Sequence, residues 1–486
     1  MKPLRNPSFF YFIFSILLFV SCQDPAEVPV SKGDDGQVFA IDTKESQIPY
    51  LVIDTQGREI PYEPGIPAKM KIYQEKKFQG EYPIDLEYRG KTSFRLSDKK
   101  GFNFETIDDS GEGIDVAFFG MPAEEDWRLI GHVVNLKEKY LWDRSLIYNH
   151  VGYELFRKMG RYASRGQFVE LEVNGEYLGI YYFCEKLKRD SNRIDIKSLN
   201  SSSTNLSGGY ILKIDKTDPG PEHDGKPLSY FLSNWDDDAR YTEFNSFRST
   251  FDIFGEPLTF APYAPPYHEK QYLETYFTYE YPKAEDITPA QKIYISQYLL
   301  EFEEALLQDD FSQSTRTYTE FIDLNSFVDF FLITELTRNV DAYRLSTYLQ
   351  KDRDGKLAMG PVWDMNIAFD EGGRIPMNDW VANYNDYVSN DPWMVHFWWD
   401  RLLEDPVFKQ AVRTRWKELR QSQFSPSSIQ KIVDDAVTYL QSNGAVERNY
   451  AKWDQGIGVN YDQTIQNLKI YLTDRSQWMD SQINSF

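Results

Sequence analysis

The feature that most constrains the fold of this 486-residue chain is a change in hydrophobic periodicity between its two halves. In the first half apolar residues alternate with polar ones, most clearly from Gln167 to Cys184, where Asn174-Gly175 is typical of a type I′ hairpin turn. In the second half apolar residues recur every three or four positions, as they do on one face of a helix. The sequence therefore predicts an α+β fold with a sheet-rich N-terminal half and a helical C-terminal half.

Several individual elements follow from periodicity and end signals. Helices are predicted over residues 136–159, 289–307 and 324–336, and a hairpin is predicted to pair residues 347–350 with 357–360. Thr288-Pro289 and Asp323 are the expected start signals of the second and third helices. Asp143 falls on the apolar stripe of the first helix, and a carboxylate on a buried face needs a partner.

The N-terminus has the pattern of an export signal. Lys2 and Arg5 precede an apolar run over residues 9–20, which is too short to cross a bilayer as a helix. The run ends at Ser21-Cys22, which resembles a bacterial lipobox. We expect residues 1–21 to be a signal peptide, Cys22 to be lipidated, and residues 22–40 to tether an exported lipoprotein to the bacterial outer membrane or cell surface. A non-lipidated secretory signal and a short uncleaved anchor are the alternatives.

Cysteine content and charge limit the remaining possibilities. Cys184 is the only other cysteine, so a lipidated Cys22 leaves no intramolecular disulfide, and the fold must be held by its core alone. The net charge of −22 argues against nucleic acid as a partner, because affinity for a phosphate backbone comes from basic patches. Any anion site must gather its basic side chains locally.

The strongest chemical signal lies in the second half. The predicted helix ending near residue 336 is followed by Asp341, and the predicted hairpin is followed by Asp364. Two carboxylates at the ends of adjacent elements can share a divalent cation and a phosphate. Asp341 and Ser346 have the spacing between the catalytic Asp and the metal-binding Asn of the kinase catalytic loop, and Asp364 stands where the next metal-binding Asp is expected. Alternatively, each aspartate only caps a turn or ends a strand.

Five segments resemble the CotH kinase family of spore-coat and exported proteins, in that family's order. They are EYRGKTSF at 87–94, DKKGF at 98–102, EVNGEYLGIYY at 172–182, GYILK at 209–213, and the block from Asn339 and Asp341 to Trp363-Asp364. The resemblance covers roughly residues 45–420. It implies an atypical protein-kinase-like fold of two lobes, with an N-lobe near residues 41–215, a C-lobe near 286–420, and residues 421–486 as a helical extension.

The resemblance also implies an activity: transfer of phosphate from ATP to protein hydroxyls, with Mg²⁺ or Mn²⁺, or alternatively Ca²⁺. Asp341 resembles the catalytic aspartate and Asp364 a metal ligand. Because Ser346 replaces the expected metal-binding Asn, Asn366 is the candidate for the missing oxygen. The proposed nucleotide contacts are the loop residues Arg89, Gly90 and Ser93, the phosphate-pairing Lys100 with Asp143 as its ion-pair partner, and Glu185-Lys186 as a hinge or ribose contact.

Two other classes of function stay open at this point. The Ser346 departure and the 16% aromatic content are also compatible with a non-catalytic pseudokinase that binds a glycan or a protein partner at the cell surface. Glycoside hydrolysis by two of the late carboxylates is the third possibility. The five histidines are dispersed and have no zinc-site spacing.

Overall fold

The structure is a computed structural model, and it describes residues 31–41, 47–369 and 371–486. The predicted signal peptide, the lipidation site at Cys22 and most of the predicted tether lie outside these residues. None of the helices in the described ranges is both long and apolar enough to cross a membrane.

Seven strands of the first half form one closed sheet, which we call the closed sheet. The elements of this half are β1 Tyr50–Asp54, β2 Ile66–Gln74, β3 Lys77–Arg89, α1 Thr92–Leu96, β4 Gly101–Thr106, β5 Asp126–Ile130, β6 Val134–Asn135, β7 Tyr140–Leu141, α2 Tyr148–Lys158, β8 Gly166–Val173 and β9 Glu176–Glu185. The closed sheet has the order β1-β2-β3-β4-β5-β9-β8, and parallel pairing of β1 with β8 closes it. Alternate side chains point inward, so that Leu86, Phe104, Trp127 and Phe183 fill its interior.

Five later strands form a second sheet, which we call the open sheet. Its strands are β10 Tyr210–Ile214, β11 Ser246–Arg248, β12 Tyr276–Tyr281, β13 Thr347–Lys351 and β14 Leu357–Met359, in the antiparallel order β11-β12-β10-β13-β14. The last strand of the predicted N-lobe, β10, pairs with β12 and β13. The predicted N-lobe of residues 41–215 therefore includes one strand of the open sheet.

The remaining α-helices lie in the rest of the described chain, and most of them form the larger core together with the open sheet. They are α3 Leu228–Ser233, α4 Pro289–Leu307, α5 Leu324–Thr337, α6 Tyr384–Tyr387, α7 Trp398–Glu404, α8 Pro406–Arg420, α9 Pro426–Gln441, α10 Ala445–Trp453 and α11 Tyr461–Asn484. Helix α5 lies at the centre, and every residue from Ser326 to Thr337 is buried. The fold is thus mixed α and β, with the sheet-rich first half and helical second half that the periodicity predicts.

The predicted elements with strong local end signals are confirmed. Thr288 forms a capping box at the start of α4, and the Asp323 side chain accepts hydrogen bonds at the start of α5. Asn174 and Gly175 both have positive φ values, 52° and 80°, between β8 and β9, as a type I′ turn requires. The hairpin of β13 and β14 is also present.

The predicted helix over residues 136–159 is wrong in its first half. Residues 134–141 instead form the small β6–β7 pair, and the helix begins only at Tyr148. The backbone is left-handed at Asp143 and Leu146, with φ values of 53° and 67°, which no α-helix allows. The amide of Leu136 donates to Asp98 Oδ2 at 2.7 Å, so a contact between distant segments overrides the local periodicity.

The C-terminal helices belong to the same core as the open sheet. Helix α11 packs against α5, α8 and α9. Its Arg475 donates to Glu335 of α5 at 3.0 Å, and both side chains are fully buried. Residues 421–486, which were predicted as an extension, therefore cover the central helix.

Cys184 lies in β9 and is fully buried. Burial raises the pKa of its thiol to about 12. It carries no disulfide, so the described part of the chain is held together by non-covalent packing.

Candidate active site

A cavity of about 760 Å³ is lined by residues of both sheets, and we call it the cleft. The closed sheet contributes Arg89 and Arg128, and the open sheet contributes Lys213 and Tyr348. Of the predicted site residues, those that line the cleft are Arg89, Gly90, Ser93, Lys186, Asp341, Ser346, Asp364 and Asn366. Side chains from segments nearly 280 residues apart in the sequence thus share one cavity.

The two predicted acidic residues are joined through the loop that follows α5. This helix ends at Arg338, whose φ of 49° turns the chain out of the helix. Asn339 then donates through Nδ2 to the Asp364 carbonyl at 3.2 Å, and its Oδ1 accepts from the Asp341 amide at 3.3 Å. One asparagine therefore fixes both aspartate-bearing loops relative to each other.

Helix α2 anchors the Asp364 loop from the other side. The amide of Met365 donates to Asn149 Oδ1 at 3.0 Å, and the amide of Asp364 donates to the Tyr153 hydroxyl at 3.4 Å. The Tyr153 hydroxyl in turn donates to Asn149 Oδ1 at 3.1 Å. Asp364 has a φ of 56°, which is uncommon for a residue other than glycine and which these contacts hold in place.

The electrostatics around Asp364 favour a bound cation. Burial and the nearby charge of Asp341 together raise the pKa of the Asp364 carboxyl to about 6, although the charge of Arg89 opposes the shift. Among the described residues, no hydrogen bond or ion pair satisfies the Asp364 carboxylate. A divalent cation would relieve this repulsion, and Ser346 and Asn366 offer further oxygen ligands in the same cleft. These residues are chemically suited to hold Mg²⁺ or Mn²⁺.

Two arginines form the positive part of the site. Arg89 and Arg128 lie over the Trp363 ring, with their guanidinium carbons 5.7 and 4.7 Å from its centroid. Within the described ranges neither side chain has an ion pair or hydrogen bond, and Arg128 Nε is buried without a partner. Burial and the neighbouring Arg128 charge lower the pKa of Arg89. Two adjacent unpaired guanidinium groups form a favourable site for an anion such as phosphate.

Other cleft cations are neutralised by carboxylates. Lys91 and Lys213 bind Asp218 at 2.8 and 2.9 Å, and Lys216 lies 3.4 Å from Asp238. Arg128 was not predicted from the sequence. Its only sequence signal is its place between inward-facing Trp127 and Leu129 on β5, which is typical of any outward-facing surface residue.

The predicted pair of Lys100 and Asp143 is not formed, and neither residue lines the cleft. Lys100 Nζ donates at 2.5 Å to the carbonyl of Phe94, which lies within the short helix α1. Asp143 accepts from Ser145 Oγ at 2.7 Å and from the Tyr148 amide at 3.0 Å, because the chain turns there into α2. The interpretation of Lys100 as the phosphate-pairing lysine loses its structural basis.

The remaining predicted contacts divide between the cleft and the interior. Glu185 is fully buried, where Arg165 Nη2 donates to it at 2.5 Å, so it does not reach the cleft. Lys186 does line the cleft, and its Nζ donates to Asp126 at 2.8 Å. Gly90 has a φ of 94°, and a Cβ there would lie 2.2 Å from Ser93 Oγ, so this loop needs its glycine.

A separate acidic cluster, Glu124, Glu125 and Asp126, has the spacing of a metal site. Lys188 already contacts all three carboxylates, at 2.6, 3.2 and 2.6 Å. The lysine therefore provides the positive charge that this cluster needs.

Comparison with known proteins identifies the family. No curated protein matches the chain significantly. The family model described as CotH kinase protein matches residues 86–479, which include Arg89, Arg128, Asp341, Asp364 and most of α11. The match begins and ends later than the predicted range of 45–420. Because it covers most of the sequence, the chain belongs to the CotH kinase family.

Proposed function

We propose that this protein is a metal-dependent kinase that transfers the terminal phosphate of ATP to a protein hydroxyl. The observation that carries the proposal is the arrangement in one cleft of Asp341, Asp364 and the unpaired Arg89–Arg128 pair. The closed and open sheets would serve as the two lobes, with the nucleotide between them.

Each residue has a distinct role in the proposed reaction. Asp364, with Ser346 and Asn366, would hold a divalent cation, which supplies charge neutralisation for the phosphates. Arg89 and Arg128 would hold the oxygens of the transferred phosphoryl group. Asp341 would accept the proton of the acceptor hydroxyl as its oxygen bonds to phosphorus, while the bond to ADP breaks and ADP leaves.

The experiment combines binding with transfer. Calorimetry with ATP and Mg²⁺ should show binding that EDTA abolishes in the wild type, and transfer of labelled phosphate to dephosphorylated casein should follow. Asp364→Ala should lose both metal-dependent binding and transfer, whereas Asp341→Asn should keep binding and lose transfer by at least about 100-fold. Asp354→Ala, on an exposed hairpin turn, is the matched control. Wild-type rates in the folded Asp364→Ala variant would refute the proposal.

A non-catalytic pseudokinase is the second candidate, and Ser346 is the observation that favours it. A hydroxyl is a weaker cation ligand than the amide oxygen of the usual asparagine. This alternative predicts a protein that binds a glycan or a protein partner and shows neither metal-dependent heat in the ATP titration nor phosphate transfer. Ser346→Asn would then be expected to create or increase both.

We also propose that the protein is an exported lipoprotein bound to the membrane through Cys22, which follows from the sequence of its N-terminus. Cys22→Ser should move the protein from the membrane fraction to the soluble fraction and should abolish incorporation of labelled fatty acid. Continued membrane attachment of this variant would favour the uncleaved anchor instead.

A further inference from the structure

We propose that Arg344 and Asp391 are positioning residues that orient the carboxylate of Asp341 for proton transfer. The inference rests on the proposed kinase function and extends it to two residues that have no role in the reaction proposed above. It comes from a buried chain of polar contacts that begins at Asp341 and ends in the segment preceding α7.

Arg344 fixes one oxygen of Asp341. Its Nη2 donates to Asp341 Oδ1 at 2.6 Å, and the arginine side chain is only 1% exposed. Asp341 Oδ2 makes no hydrogen bond in the described part of the chain, and Asp341 lines the cleft. One carboxylate oxygen is therefore held, and the other stays available to accept a proton.

Arg344 is itself held on several sides. Its Nε donates to the Val340 carbonyl at 2.8 Å and its Nη1 to the Trp393 carbonyl at 3.1 Å. The guanidinium also lies 4.4 Å from the centroid of the Tyr384 ring. A planar guanidinium with these contacts has one available orientation, which a lysine ammonium would not reproduce.

Asp391 connects this arginine to the segment that follows the Asp364 loop. Its carboxylate lies 3.4 Å from Arg344 Nη1 and 3.2 Å from Arg374 Nη1, and it accepts from the Tyr384 hydroxyl at 2.9 Å. Asp391 thus balances the charge of Arg344 on the side away from Asp341. Without it, Arg344 would keep Asp341 as its only carboxylate partner among the described residues.

The expected consequence is a defect in the chemical step and not in nucleotide binding. Asp391 lines the same cleft as Arg89 and Arg128, but within the described ranges it makes no hydrogen bond or ion pair with either of them, and its partners lie on the Asp341 side. A small misplacement of a proton-accepting group can lower a rate by about 100-fold. Removal of the Asp391 charge should therefore lower kcat and leave the KM for ATP unchanged.

The test compares Asp391→Asn with Asp386→Asn, since Asp386 is exposed on the same segment and makes no ion pair in the described residues. We expect kcat for casein phosphorylation to fall about 10- to 100-fold in Asp391→Asn. Its KM for ATP and its calorimetric Kd for Mg²⁺–ATP should stay within about twofold of wild type. Asp386→Asn should match wild type throughout.

A second variant provides a test if Asp391→Asn fails to fold. Tyr384→Phe removes the hydroxyl that Asp391 accepts from and keeps the buried ring, so a smaller fall in kcat is expected with the same KM. An unchanged kcat in folded Asp391→Asn or Tyr384→Phe would overturn this inference but not the proposed function. Parallel losses in kcat and in ATP affinity would do the same. A wild type that transfers no phosphate would overturn the proposed function and this inference together.

Discussion

At the residue scale, the decisive feature of the cleft is the pair of arginines over Trp363. An ordinary kinase places a lysine, paired with a helix glutamate, at the phosphates. Here the predicted equivalent, Lys100, is held by the Phe94 carbonyl, while Arg89 and Arg128 face the cleft without a carboxylate partner among the described residues. Guanidinium groups can stack on an indole and still present paired N–H donors to phosphate.

Substitution of Arg128 tests this assignment directly. Arg128→Met should weaken Mg²⁺–ATP binding by about 10- to 100-fold, because a charge-assisted hydrogen bond contributes about 1.5–3 kcal/mol. Lys100→Met is the matched control and should leave the Kd unchanged in the same calorimetric titration. A larger loss in Lys100→Met than in Arg128→Met would restore the lysine to the role that the sequence first indicated.

At the element scale, the sequence predicts a helix or hairpin correctly where residues at the ends of that element stabilise it. Thr288, Asp323 and the Asn174-Gly175 turn each satisfy nearby backbone groups, and their elements were predicted correctly. The helix predicted near Leu136 is absent because the Leu136 amide donates to Asp98, 38 positions away in sequence. No local pattern contains this contact. The same reason explains why Arg128 was missed, since its role requires knowing that β5 and Trp363 meet.

Helix α2 supports the site by its close approach to the Asp364 loop. A Cβ added to Gly152 would lie 2.8 Å from Met365 Cγ, so Gly152→Val should push this loop away. Overpacking of this kind costs about 1–3 kcal/mol, and the variant should also bind Mg²⁺–ATP more weakly. Chemical denaturation and calorimetry measure the two effects. Lys158→Val places the same side chain at an exposed position of α2 and should leave ATP binding unchanged.

The turn before α2 should make stability depend on pH. Burial raises the pKa of Asp143 to about 6, against an ordinary value of 3.8. The native state thus binds this proton more tightly than the unfolded state, so the contribution of Asp143 to stability is present below pH 4 and is lost as pH rises through about 6. As the pH rises from 4 to 7.5, the free energy of unfolding of Asp143→Asn should increase by up to about 2–3 kcal/mol relative to that of the wild type.

Urea denaturation at several pH values measures this difference. Ser145→Ala removes a hydrogen bond to the Asp143 carboxyl but leaves that carboxyl able to ionise. The stability of this variant should therefore fall with rising pH, as that of the wild type does. A constant difference between Asp143→Asn and wild type across this range would contradict the expectation.

At the scale of the whole molecule, the C-terminal helices complete the core on which the Asp341 loop rests. Glu335 of α5 accepts from the Val381 and Ala382 amides at 2.7 and 3.0 Å, and Arg475 of α11 supplies the buried countercharge. One side of the helix that delivers Asp341 is therefore covered by the last helix of the chain.

Breaking this ion pair should destabilise the entire protein. Arg475→Met leaves the Glu335 carboxylate buried without its cation, which costs about 3–5 kcal/mol in the free energy of unfolding. The double variant Arg475→Met with Glu335→Leu should recover part of that loss. Equal stability of wild type and Arg475→Met in urea denaturation would show that α11 is dispensable for the core.

The burial of Cys184 has a practical consequence for studying motion in this molecule. A chain expressed without residues 1–30 contains this thiol alone, and its raised pKa and zero exposure leave it inert to maleimides. New cysteines introduced on the closed sheet and on the open sheet, on either side of the cleft, would then carry spectroscopic labels without background labelling of Cys184. Distance measurements between such probes, with and without ATP, would report directly whether the two sheets close upon the nucleotide.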